Sequence, residues 1–147
     1  MIRRITKNDK ELYLNLAKEF YSSDAVLHSI SDECRENTFN EMMRCDDYLV
    51  GYIIEYDEKH AGYAMLAKTF SPEVGGLCIW IEEIYILEGF QGKGLGTEFF
   101  NFIFKEFNGT AKRFRLEAIK ENQGAISLYE KLEFEGLDYM QMVKDEN

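Results

Sequence analysis

A chain of 147 residues is long enough for one domain of ordinary size and too short for two. With 46% hydrophobic and 30% charged residues it has the profile of a folded globular protein, not of a disordered one. Its 17 Lys+Arg stand against 27 Asp+Glu, a net charge of -10, which argues against a general binder of nucleic acid or anionic membrane, because phosphates need a cationic footprint.

Ile2 to Ile5 reads as a short first strand. Thr6 to Asp9 supplies capping residues. Leu12, Leu16 and Phe20 then recur at four-residue spacing, widened by Leu14, Ala17 and Tyr21, which predicts an amphipathic helix. Ser22-Ser23-Asp24 breaks it. Ser31-Asp32 can cap a second helix running to about Arg44, with Cys34, Phe39, Met42 and Met43 as its apolar face. Tyr48 to Tyr56 and His60 to Thr69 flank the turn Asp57-Glu58-Lys59 and predict a hairpin. After Gly75-Gly76, Leu77 to Leu87 is a nearly unbroken apolar strand, interrupted only by Glu82-Glu83, and so is expected at the centre of the sheet. Glu88 to Lys93 is a loop. A helix from about Gly94 to Phe107 carries Phe99, Phe100, Phe102, Ile103, Phe104 and Phe107, a broad core-facing surface. Arg113 to Ile119 alternates as a strand, Gln123 to Leu132 is a short helix, and Phe134 to Lys144 fits one or two closing strands. The order β-α-α-β-β-β-α-β-α-β is that of a single α/β domain, a mixed sheet flanked by helices and spanning residues 1–147.

Cys34, Cys45 and Cys78 show no C-x-x-C spacing and read as reduced thiols of a cytoplasmic protein. The two histidines, His28 and His60, form no metal-ligand cluster, so no metal is expected. No run has the length and apolarity of a signal peptide or a membrane span.

Most chemistry is concentrated where the central strand meets Gln91-Gly92-Lys93-Gly94-Leu95-Gly96. Glycines between a strand and a helix let the backbone approach a ligand, and the helix start offers N–H groups to an anion. A Walker A loop needs G-x-x-x-x-G-K-[ST], but Lys93 is followed by Gly94. A dinucleotide fingerprint belongs near a first strand, and this loop follows several.

Gln91 to Gly96 resembles the Q/R-x-x-G-x-G/A acyl-CoA motif of the GCN5-related N-acetyltransferases, the GNAT superfamily. Ile81 to Ile86 is similar to that family's central strand. Asn122, Ala125, Leu128, Tyr129, Lys131 and Phe134 match its N-x-x-A-x-x-L-Y-x-K-x-x-F segment. The resemblance covers essentially the whole chain. It implies acetyl-CoA as co-substrate, its pyrophosphate on Gln91, Gly92, Lys93, Gly94, Leu95, Gly96 and Thr97, and its pantetheine arm along Ile84, Tyr85 and Ile86 and near Asn122. A main-chain N–H of that strand would polarise the thioester carbonyl. It also implies an acceptor site near Tyr21 and His28, and leaves a homodimer open. The acceptor is expected to be a primary amine of a small cationic molecule, attacking directly in a ternary complex. A protein N-terminus or lysine, or a non-catalytic acyl-CoA-binding module, are the alternatives.

An amine with a pKa near 10.4 arrives protonated and must lose a proton. Glu82 and Glu83 are the candidate bases, directly or through water. Strand parity sends them to opposite faces unless a bulge intervenes, and Glu82 is favoured, with the other carboxylate holding the ammonium group. Tyr129 is the candidate acid for the departing thiolate. One departure stands out: relatives carry Gly where this chain has Glu133. If the position needs positive φ, a glutamate costs about 1 kcal/mol there. Otherwise the turn shifts, or the carboxylate faces the acceptor.

Overall fold

A computed structural model describes residues 1–146. Five strands form one sheet in chain order: β1 (Ile2–Arg4), β2 (Leu49–Tyr56), β3 (Lys59–Ser71), β4 (Gly76–Ile86) and β5 (Ala111–Leu116). The first four pair antiparallel, and β5 joins β4 parallel. Parallel neighbours need a crossover, and here a helix supplies it. That helix is α3 (Leu95–Glu106). The others are α1 (Lys10–Tyr21), α2 (Asp32–Arg44) and α4 (Gln123–Lys131).

The sheet separates two apolar cores. On one face α1 and α2 bury Tyr13, Leu16, Phe20 and Phe39 against Ile53, Tyr63 and Met65. On the other, α3 buries Leu95, Phe99, Phe100 and Ile103 against Tyr52, Ile54, Leu66, Ile79 and Ile81, with Tyr129 of α4 and Leu132 just after it packed beside them. Each such large side chain contributes roughly 1.5–3 kcal/mol on burial. The two faces explain why β4 is apolar almost throughout.

The α1 stripe is centred one position from its expected line. Tyr13, Leu16, Ala17 and Phe20 are buried, whereas Leu12 and Leu14 are half-buried. Tyr13 earns its place by ring contacts with Phe39 (centroids 6.0 Å) and Tyr63 (5.8 Å). In α2 the expected inward Cys34 is exposed, and Arg35 is buried instead. Its guanidinium donates to the Ile30 carbonyl (3.1 Å) and pairs with Asp32, which satisfies the buried charge. The N-terminal connection is fixed by Asp9. Its carboxylate accepts from the Arg3 guanidinium (2.9 and 3.0 Å) and from the Thr6 N–H and hydroxyl (2.8 and 3.0 Å). Those donors hold Asp9 down at about 2.

The expected closing strands do not form. Residues 135–146 carry no regular structure, and among the described residues no backbone hydrogen bond ties them to the sheet. The alternation in this segment satisfies the period of a strand, but a strand also needs a paired neighbour. No helix among the described residues is long and apolar enough to cross a membrane.

Candidate active site

The site is built by three interruptions of regular structure near one end of β4. The first is a bulge. β3 and β4 pair Met65 with Glu83 and then Leu66 with Ile81, so Glu82 has no partner in the ladder. Ile79 and Ile81 belong to the α3-side core, and so do Ile84 and Ile86, while Tyr85 packs on the α1 side. The extra residue therefore inverts the pleat from Glu83 onward, so that Glu83 faces Tyr63 on the α1 side instead of following Ile79 and Ile81 onto the α3 side.

Glu83 is buried at 6% exposure and accepts a 2.6 Å hydrogen bond from the Tyr63 hydroxyl. Burial raises its pKa to about 7, opposed by donation from Tyr63 and Tyr21 and reinforced by the charge of Glu82. Glu82 lines a cleft of about 120 Å³ with Ile81, Ile84, Asn122 and Tyr129. Its pKa is also raised, by desolvation first and by the Glu117 carboxylate second. Although Glu82 is exposed to solvent, it is hemmed in by the cleft walls, and so it loses hydration without being sealed from a ligand.

The second interruption is the divergence of β5. Its ladder with β4 ends at the pair Ile81–Leu116, whereas β4 continues to Ile86. The main chain of residues 82–86 is thus open on the β5 side. The Gln91 side chain reaches back and donates to the Ile86 carbonyl at 3.1 Å.

The third is the glycine loop. Gly94 caps α3 in a left-handed conformation (φ 77°), and no side chain caps the helix. The first α3 N–H groups are therefore available to an anion, aided by the helix dipole. Gly92 is also left-handed (φ 76°), and a Cβ at either position would meet open space, so conformation rather than crowding calls for glycine. Gly96 differs: a Cβ there would lie 3.2 Å from Leu128, so it permits close α3–α4 packing. The Lys93 ammonium lies over the Tyr56 ring at 5.2 Å. The free N–H cluster and the parallel open edge of β4 fit a ligand with a phosphate end and an amide-bearing arm, which are the two ends of acetyl-CoA.

Asn122 caps α4, its Oδ1 accepting from the Ala125 N–H at 3.3 Å, and leaves its amide nitrogen for a ligand in the cleft. Tyr129 packs against Phe100 (5.7 Å) and Phe134 (6.1 Å). Among the described residues its hydroxyl makes no hydrogen bond, and burial raises its pKa. Tyr21 meets the site through Glu83. Phe20 and Ala25 form the α1-side wall of the cleft, but His28 lies exposed in the connection from α1 to α2 and lines no part of it. Sequence reasoning missed Tyr63 and Glu117. Tyr63 sat within an apolar run and looked like core. Glu117 was visible only as the polar member of an alternating pair.

Among the described residues no three His, Cys, Asp or Glu side chains are grouped to hold a metal. The sequence profile of the acetyltransferase (GNAT) family matches residues 11–134. No curated protein matches the sequence. Among solved structures, a probable acetyltransferase superposes with a TM-score of 0.82 at 20% identity, covering 99% of each chain. The aminoglycoside acetyltransferase AAC(6')-Iy, in complex with a bisubstrate analogue of CoA and acetylneamine, gives 0.80 at 18% identity, covering 100% of this chain and 98% of that one. A predicted acetyltransferase from Clostridium acetobutylicum with acetyl-CoA gives 0.80 at 19%, covering 98% and 95%. These identities speak for the fold, and the profile, which spans most of the chain, speaks for descent: the protein belongs to the GNAT family of acetyltransferases.

Proposed function

We propose that the protein transfers an acetyl group from acetyl-CoA to the primary amine of a small cationic molecule, by direct attack in a ternary complex. One observation carries this reading: Glu82, a carboxylate of raised proton affinity, shares a cleft with the Tyr129 hydroxyl and the Asn122 amide, beside the open edge of β4. Acetyl-CoA supplies the activated acyl group. Gln91 to Thr97 hold its pyrophosphate, and the main chain of Ile84, Tyr85 and Ile86 holds its arm. Glu82 takes the proton of the incoming ammonium, directly or through water, and Tyr129 returns a proton to the leaving sulfur. Glu83 stays behind, and with Tyr63 and Tyr21 it fixes the floor of the acceptor side. The net charge of -10 favours a cationic acceptor.

Thiol release from acetyl-CoA with polyamines, amino sugars, aminoglycosides and lysine-containing peptides tests the proposal. Turnover is expected with a small amine. Glu82→Gln should lower kcat by about 100-fold or more while acetyl-CoA binding persists. Gly94→Val should instead weaken acetyl-CoA binding, because valine resists φ near 77°. Acetylation of peptides alone would move the assignment to a protein acceptor. Acetyl-CoA binding without turnover of any amine would leave a binding module.

A further inference from the structure

The hairpin of β2 and β3 ends against the loop that opens α3. Asp57 and Glu58 join the two strands, both at positive φ (51° and 61°), and Tyr56 pairs with Lys59 across the turn. Two such residues make the mirror-image turn that suits a two-residue hairpin. Glu58 is neither Gly nor Asn, so the turn keeps its shape against local preference, and the place of Tyr56 is fixed with it. By alternation Tyr56 shares the α3 face with Tyr52 and Ile54. Its side chain is 41% exposed and lines no part of the cleft around Glu82.

The Tyr56 ring nevertheless makes two contacts, both with the glycine loop. Phe90 meets it edge to face, with centroids 6.3 Å apart. The Lys93 ammonium lies 5.2 Å from its centroid. These two residues bracket Gln91 and Gly92, and Gly94 follows. Both glycines are left-handed, at φ 76° and 77°. Glycine loses more freedom on ordering than any other residue, so a loop with two of them binds weakly unless something holds it beforehand. A glycine offers no side chain to hold. The grip falls on its neighbours: Gln91 is tied to the Ile86 carbonyl at 3.1 Å, and Phe90 and Lys93 are tied to the Tyr56 ring.

We infer that Tyr56 is a positioning residue for acetyl-CoA: its ring grips Phe90 and Lys93 and thereby presets the main-chain N–H groups of residues 91–96 for the pyrophosphate. The inference rests on the assignment of acetyl-CoA to this loop. Lys93 then has a divided role. Its main chain belongs to the phosphate cradle, and its ammonium anchors the cradle to the hairpin. Tyr56 stands apart from the reacting atoms, so its effect falls on cofactor affinity and not on the chemical step.

Calorimetric titration with acetyl-CoA, and hydrogen exchange of the chain without ligand, test it. Tyr56→Ala should raise the Kd for acetyl-CoA by about five- to ten-fold. It should also speed exchange at the Phe90 and Gln91 amides, which donate to the Leu87 and Glu88 carbonyls at 2.8 and 3.3 Å. Tyr56→Phe keeps the ring and should match the wild type in both readouts. Tyr56→Leu keeps the bulk without the ring face and should behave like Tyr56→Ala. Lys93→Met should cost about two-fold less affinity in the Tyr56→Ala background than in the wild type, because its partner there is already gone. Wild-type affinity in Tyr56→Ala, full rescue by Tyr56→Leu, or an equal cost of Lys93→Met in both backgrounds would each overturn the inference and leave the cofactor assignment standing. A wild-type chain that binds no acetyl-CoA would remove the assignment, and the inference with it.

Discussion

Glu83 is a carboxylate kept where carboxylates are expensive. Its pKa of about 7, against an ordinary value near 4.5, means that the folded protein binds this proton more tightly than the unfolded chain does. For an acid with a raised pKa the sign is unfavourable to folding: stability falls as pH rises between those two values, by about 3 kcal/mol in all. Glu83→Gln keeps an acceptor for the Tyr63 hydroxyl and removes the charge. We expect the variant to match the wild type at about pH 5 and to exceed it by up to about 3 kcal/mol at about pH 8 in urea unfolding. Parallel pH dependences for the two proteins would refute the assignment. The sequence made the Glu82-Glu83 pair conspicuous, because two charges interrupt an apolar strand. Their division of labour was hidden, since it depends on a bulge that a single sequence does not mark, and on Tyr63 from another strand.

The end of α4 shows an element obeying its rule with an unsuitable residue. Phe134 donates its N–H to the Tyr129 carbonyl and Glu133 donates to the Glu130 carbonyl, both at 3.0 Å. This is the Schellman arrangement, with the Tyr129–Phe134 ring contact as its hydrophobic closure. It requires a left-handed residue, and Glu133 takes φ 68°. The turn has not shifted, and the side chain lines the groove beyond β5, not the acceptor cleft. Glu133→Gly should therefore raise stability by about 0.5–1 kcal/mol, the strain relieved less the added freedom of the unfolded chain. Thermal melts at fixed pH would show it, and an unchanged or lower Tm would contradict it. Helices and the hairpin were legible because each carries its own period and its own stop. The segment after Phe134 was not, because alternation announces a strand face but says nothing about where its neighbour is.

At the scale of the whole molecule, the sheet places its two unlike faces to different uses. The α3 face is packed with interlocked aromatic rings, while the α1 face admits the polar cluster of Glu83, Tyr63 and Tyr21. The acidic surplus adds a long-range field to this local arrangement. For a cationic acceptor, KM should rise several-fold between about 0.02 M and about 0.5 M salt, while acetyl-CoA binding moves little or tightens. Initial rates at varied acceptor concentration would measure it, and a salt-independent KM would argue for a neutral acceptor.

The unpaired Glu82 also changes what a mutation at this place means. Any substitution there leaves the pleat downstream as it is. Removing the residue altogether would leave those faces unchanged as well. Ile81 and Glu83 would become neighbours on opposite sides, strict alternation would return, and Ile84 and Ile86 would keep the α3 side while Glu83 and Tyr85 keep the α1 side. What deletion would take away is the local bend and the carboxylate presented to the cleft. The bulge thus lets the central strand carry one residue outside its ladder without disturbing the order of its two faces.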